Sequence, residues 1–159
     1  MIGKSGKIVA VVGAPACGKS TFARYIAENY KVKTFHEGEV NTFPGFVKDN
    51  IEKNKNRLQT VLYFHNLPIG QYNQALQDKK KGHHVLLDTF WLSNLFYVVD
   101  SILHCKNEQQ LIEELVEGCI GFWPLPDIII FMYARDEVIR ARLAKRGRVF
   151  EKDRARSEE

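Results

Sequence analysis

Eight consecutive residues, Gly13-Ala14-Pro15-Ala16-Cys17-Gly18-Lys19-Ser20, have the types and spacing to grip a phosphate. They fit G-x-x-x-x-G-K-[ST]. In that loop the glycines let backbone N–H groups close around an oxyanion, the lysine meets the outer phosphates and the hydroxyl meets Mg²⁺. The expected nucleotide-binding segment is Gly13, Ala14, Pro15, Ala16, Cys17, Gly18, Lys19, Ser20 and Thr21, with Lys19 also serving the reacting phosphate and Ser20 the metal. Such a loop works only between a strand and a helix. Lys7 to Val12 (KIVAVV) is apolar and β-branched, which predicts a short buried strand. Lys19 to Asn29 places Phe22, Tyr25 and Ile26 on one helical stripe. The sequence therefore predicts binding of a nucleoside triphosphate. Cys17 reads as a small filler of the loop.

Carboxylates follow at two strand ends. Val32 to His36 predicts a second strand that runs into Glu37-Gly38-Glu39. In parallel α/β sheets, ligands lie beyond the carboxyl ends of the strands. Glu37, with Glu39 as the alternative, is thus placed to accept the proton of a hydroxyl that attacks a phosphoryl group. Val85 to Leu87 predicts a third strand ending in Asp88, which can hold Mg²⁺ through water or cap the next helix.

Arg57 to Lys81 reads as one long helix, kinked or broken near Pro68 and Gly70. Gln59, Tyr63 and Asn66 recur at i, i+4 and i+7 on it. Amides can pair with a base edge and a tyrosine can stack; a polar outer face of an amphipathic helix explains the same spacing. His65 reads as a packing residue, and Lys79-Lys80-Lys81-Gly82 as a cationic helix end with its glycine cap. Farther on, Arg140, Arg142, Lys145, Arg146 and Arg148 crowd one stretch. Such a cluster neutralises charge growing on transferring phosphate; the bland alternative is a basic helix end favoured by the dipole.

The elements that must position these groups fit one domain, residues 1–151, with a lid at 140–151 and a polar tail at 152–159. Hydrophobic residues make up 45% and charged residues 26%, a composition of soluble globular chains. A net charge of +4 suits an anionic substrate and is too mild for a nucleic-acid surface, the more so because the basic residues lack interleaved aromatics. No apolar run reaches the ~18 residues of a membrane span. Cys17, Cys105 and Cys119 lack metal-ligand spacing, which points to a reducing, cytoplasmic setting. Phe90 to His104 predicts an apolar helix with one face in the core and width enough for a homodimer contact. Asn107 to Val116 predicts a helix, Gly118 to Pro126 an irregular link, Asp127 to Tyr133 a strand buried on both faces, and Glu137 to Lys145 a last helix.

Four places together resemble the deoxyribonucleoside kinases of the P-loop kinase superfamily. They are the phosphate loop with Thr21-Phe22, Glu37 followed by Phe43-Pro44, Leu58 to Asn66 with Tyr63-Phe64, and Pro126 to Ile130 through Arg142 to Arg148 and Glu151. The resemblance implies a three-layer α/β/α P-loop kinase fold on a parallel sheet of order 2-3-1-4; the family's further helix and fifth strand are expected to be absent here, a departure from its pattern. It implies ATP-dependent phosphoryl transfer to the 5′-hydroxyl of a (deoxy)nucleoside, with Glu37 as base, Arg142, Arg146 and Arg148 as charge-compensating residues, and Glu39, Gln59, Tyr63 and Asn66 toward the acceptor. Two further departures stand out. Asp88-Thr89-Phe90 keeps the family's acid after strand three but not its arginine, and the base-reading glutamine falls at Val61 when Tyr63-Phe64 is aligned. A thymidylate-kinase-like enzyme acting on a nucleoside monophosphate, and a nucleotide-binding module without turnover, are the alternatives.

Overall fold

Alternation along the first strand decides the layers. In the computed structural model, which describes residues 5–38, 42–94 and 105–146, β1 (Ile8–Gly13) turns Ile8 and Ala10 to one side and Val11 to the other. All three are buried, as side chains pointing to opposite faces of a covered strand must be. β1 pairs in parallel with β3 (Val85–Leu87) and β4 (Ile128–Met132), and β3 pairs with β2 (Lys33–Phe35). The sheet order is β2-β3-β1-β4, as the sequence predicts.

On one face α1 (Lys19–Tyr30) sets Ala23 against Val11 and Leu86, with Phe22 and Ile26 half-buried beside them. Tyr25, expected on the same stripe, is instead exposed, because the contact is narrow and centred on Ala23. On the other face α3 (Arg57–Lys80) and α4 (Lys106–Phe122) bring Val61, Tyr72, Ala75, Ile112, Val116 and Cys119 onto Ile8, Ala10, Val85 and Leu87. Phe90 and Trp91 close this larger core at the start of a short 3₁₀ turn (Trp91–Asn94). The rest of the helix expected over 90–104 lies outside the described residues. The short α2 (Gly45–Glu52) packs on α3 and buries Val47 and Asn50, so the charged stretch that begins at Lys48 is not wholly a solvated face.

Three expectations are corrected. Pro68 does not break α3: the helix runs through it for 24 residues, with the proline itself buried. Its ring removes one backbone bond, and packing of this face offsets the loss. The link expected over 118–126 is helical as far as Phe122, where packing of Val116 and Cys119 in the core outweighs the low helix propensity of Gly118 and Gly121. β4 is not buried on both faces. It pairs on one side only, and Ile128, Ile129 and Phe131 are exposed, because no described element covers this edge of the sheet. A continuous apolar run marks a strand without saying which neighbours it has.

Polar groups clamp the amino-terminal edge of the sheet. Asp127 accepts the Ile8 N–H at 2.8 Å and pairs with Lys79 at 2.7 Å and Lys7 at 3.3 Å. The Ile8 N–H, then Lys79, hold its carboxyl well below the usual carboxylate range. Lys33 likewise holds Asp78 low through a 2.6 Å contact. Tyr72 donates to the Pro124 carbonyl at 2.5 Å, and burial pushes its hydroxyl up to about 12. Burial depresses His65, which packs 3.8 Å from the Cys119 thiol, as a core residue and not a ligand.

These shifts fix the acid limb of stability. A group whose folded pKa is depressed leaves protons to the unfolded chain, so stability falls as pH falls. The fall starts near the unperturbed histidine value of about 6.5 through His65 and steepens below about 4 through Asp78 and Asp127. Asp127→Asn is expected to cost about 1–2 kcal/mol at neutral pH, discounted because Lys7 is solvent-screened, and to flatten the acid limb. Thermal melts of both proteins across pH measure both effects.

Candidate active site

The loop after β1 turns where β1 and β4 nearly touch. A Cβ on Gly13, whose φ is +150°, would sit 2.2 Å from the Met132 carbonyl oxygen. Gly18, at φ +115°, is the residue before α1, and Ala16 adopts a left-handed φ of 61° between them. α1 has no side-chain cap and no acid in its first turn. Its leading N–H groups and the positive end of its dipole are therefore directed into the loop, the arrangement that favours an anion.

Two cations brace the loop from inside the protein. Lys19 Nζ donates to the carbonyls of Gly13 at 2.9 Å and Ala14 at 3.0 Å. Arg142, on α5 (Asp136–Arg146), donates through one guanidinium nitrogen to the carbonyls of Ala16 at 3.1 Å and Cys17 at 3.0 Å. Cys17 is buried and fills the loop interior, as its small size predicts. α5 buries none of its own residues, so this contact ties an otherwise solvated helix to the loop. Beside it an open groove of about 450 Å³ is lined by Arg135, Glu137, Val138, Ala141, Arg142 and Lys145. Arg146 is exposed at the end of the same helix, whereas Arg148 lies outside the described residues.

Parallel pairing brings the carboxylates to the same edge. Phe35 and Ala10 both stand in register with Leu87, so His36, Asp88 and the continuation of β1 toward Gly13 leave the sheet side by side. Asp88 is only 2% exposed. Its N–H donates to the Phe35 carbonyl at 2.9 Å, Oδ2 lies 3.7 Å from His36 Nδ1, and Oδ1 has no hydrogen-bond partner among the described residues. A buried carboxylate oxygen without a donor suits a hard cation or a metal-bound water. Ser20, half-buried at the start of α1, adds a hydroxyl of the same chemistry. No cluster of three or more His, Cys, Asp or Glu side chains stands together among the described residues.

Glu37 is half-buried, one residue past His36, whose carbonyl accepts a 2.8 Å bond from Gln71 Nε2 on α3. Gly38 follows at φ +28°, and Glu39 lies outside the described residues. The helix face expected to meet an acceptor divides into two networks. Gln59 accepts from the buried Asn50 at 2.8 Å, and Asn50 accepts from Asn56 at 3.2 Å. Tyr63 joins Phe43, Phe46 and Phe64 in an edge-to-face aromatic cluster with centroid distances of 5.2–6.2 Å. Asn66 is exposed, and Val61 is buried in the main core. The aromatic partners Phe43 and Phe46, the amide Gln71 and the hold of Arg142 on the loop are not apparent in the sequence. Each is a contact between distant segments that no local spacing announces.

Among known proteins, the model of the AAA domain family matches residues 8–119. A probable thymidylate kinase of Archaeoglobus fulgidus is 27% identical over 152 residues, spanning 91% of this chain and 74% of the relative. A deoxyadenosine kinase of Lactobacillus acidophilus is 27% identical over 154 residues, spanning 91% and 69%. The solved deoxyadenosine kinase of M. mycoides, bound to dCMP and dCDP, superposes with a TM-score of 0.74 at 19% identity, over 91% of this chain and 73% of that one. The four-stranded order and its covering helices are thus those of the P-loop kinase fold. With the phosphate loop near its head and the matched region running from β1 into α4, the chain belongs to the AAA domain family.

Proposed function

We propose that the protein transfers the γ-phosphoryl group of ATP to the 5′-hydroxyl of a (deoxy)nucleoside. The observation that carries this reading is the shared sheet edge, where the phosphate loop, the residue before Glu37, and Asp88 leave three adjacent parallel strands. The kinase relatives support it, one named for a nucleoside and one for a nucleotide acceptor. Residues 13–21 wrap the triphosphate, and Lys19 exchanges its loop carbonyls for the β- and γ-phosphate oxygens. Ser20 and Asp88 would hold Mg²⁺, which would supply positive charge to neutralise the phosphates. The acceptor 5′-oxygen attacks phosphorus, its proton passes to the Glu37 carboxylate, and ADP leaves. Arg142 and Arg146, with Arg148, offset charge on the transferring group, and residues 140–151 act as the lid of a domain spanning 1–151. The aromatic cluster around Tyr63 is the wall against which the acceptor base lies, with Gln59, Asn66 and Glu39 as polar contacts. A cytoplasmic setting suits three thiols that are free in the structure.

The thymidylate kinase relative favours a second reading, in which the acceptor is a nucleoside monophosphate. Product analysis after incubation with MgATP separates the two. The first reading predicts nucleoside 5′-monophosphate from a nucleoside; the second predicts diphosphate from a monophosphate and nothing from nucleosides. Glu37→Gln is expected to lower kcat by roughly 10²-fold with ATP binding retained, and unchanged turnover would remove Glu37 as the base. Arg142→Ala is expected to lower kcat/KM for ATP by roughly 10²-fold, because it loosens the loop and removes a cation, with Arg142→Lys recovering part of the loss. Steady-state kinetics over a range of ATP concentrations measures both.

A further inference from the structure

The segment that carries Glu37 is held from two directions. The Phe35 carbonyl accepts the backbone N–H of Asp88 at 2.9 Å, and the next carbonyl, that of His36, accepts Gln71 Nε2 at 2.8 Å. The first bond continues the sheet. The second comes from a helix 35 residues away in sequence and belongs to no ladder. Beyond Glu37 the chain turns at Gly38, with a φ of +28°, where a Cβ would lie 3.3 Å from Thr42 Oγ1 and 3.5 Å from the Phe43 ring. Glu37 therefore stands between two consecutive held carbonyls and a tight glycine.

The other end of the Gln71 amide argues that its N–H is the point of the residue. Gln71 Oε1 is buried with no hydrogen-bond partner among the described residues. The opposite amide orientation would set two oxygens against each other, so the N–H must face His36. Leaving an acceptor buried and unpaired carries a cost that a methionine of similar volume would avoid. What glutamine adds over methionine at this place is the donor.

Resting on the reading of Glu37 as the base, we propose that Gln71 is a positioning residue. Its amide fixes the His36 carbonyl and so sets the direction in which the Glu37 carboxylate leaves the chain, toward the acceptor hydroxyl. A base must lie within hydrogen-bond reach of the proton it takes, and a displacement on the scale of 1 Å lowers the rate without altering how ATP is held. Gln71 acts through Glu37 alone and touches neither substrate.

The test is a double-mutant cycle on kcat, with KM for ATP and the thermal midpoint measured alongside. Gln71→Glu keeps the shape and removes the donor, and Gln71→Met does so without adding charge; either suffices if the other fails to fold. The expected result is a fall in kcat of about tenfold at unchanged KM for ATP, and no further fall when the substitution is placed in Glu37→Gln. A wild-type kcat in both Gln71 variants overturns the proposal. So does a loss that persists in full in the Glu37→Gln background, since Gln71 would then act by another route while Glu37 stands as the base. Glu37→Gln with undiminished turnover overturns the base assignment itself, and this proposal with it.

Discussion

The whole site hangs on the close passage of β1 and β4 at Gly13. Parallel pairing carries the two strands side by side to their last residues, with Gly13 in register with Met132. At that point the chain must leave the sheet and begin the loop, and the Met132 carbonyl occupies the space that a Cβ would need. Glycine resolves both demands, the unusual φ and the close approach. The central position of β1 then does the rest. With β3 on one flank and β2 beyond it, Asp88 and the segment that carries Glu37 leave the sheet at the same edge as the loop. The chemistry of the site is a consequence of strand order.

The brace on the loop has a double character. Lys19 and Arg142 satisfy four loop carbonyls without any ligand, from Gly13, Ala14, Ala16 and Cys17. Two cations therefore stand at the loop, each held by its carbonyls. Arg142 also ties α5 to the loop. Since α5 buries none of its residues, that bridge is its main described link to the site.

Much of this was legible in the sequence, for physical reasons that differ from residue to residue. The loop is a local feature, and its spacing predicts its geometry. β1, β3 and α1 follow from hydrophobic periodicity, and the order 2-3-1-4 came from the family resemblance and is the order observed. The third strand ending at Asp88 is where the sequence puts it, and the structure adds that this acid is buried. The failures are tertiary. β4 is as apolar as a central strand yet lies at the edge, because its run of isoleucines says nothing of what packs on it. Pro68 sits inside an unbroken helix, where packing outweighs one missing bond. The bond that Asn50 donates to Gln59 has no local signal in the sequence. Gln71 has no local signal at all; its partner is the backbone of a residue on another strand.

The most direct measurement of the central claim is a crystal structure with a non-hydrolysable ATP analogue, Mg²⁺ and a deoxynucleoside bound together. The account predicts the triphosphate inside residues 13–20, Mg²⁺ between Ser20 and the Asp88 carboxylate, and the nucleoside 5′-oxygen within hydrogen-bond reach of Glu37. A nucleoside bound away from Glu37, or a metal that ignores Asp88, would contradict it.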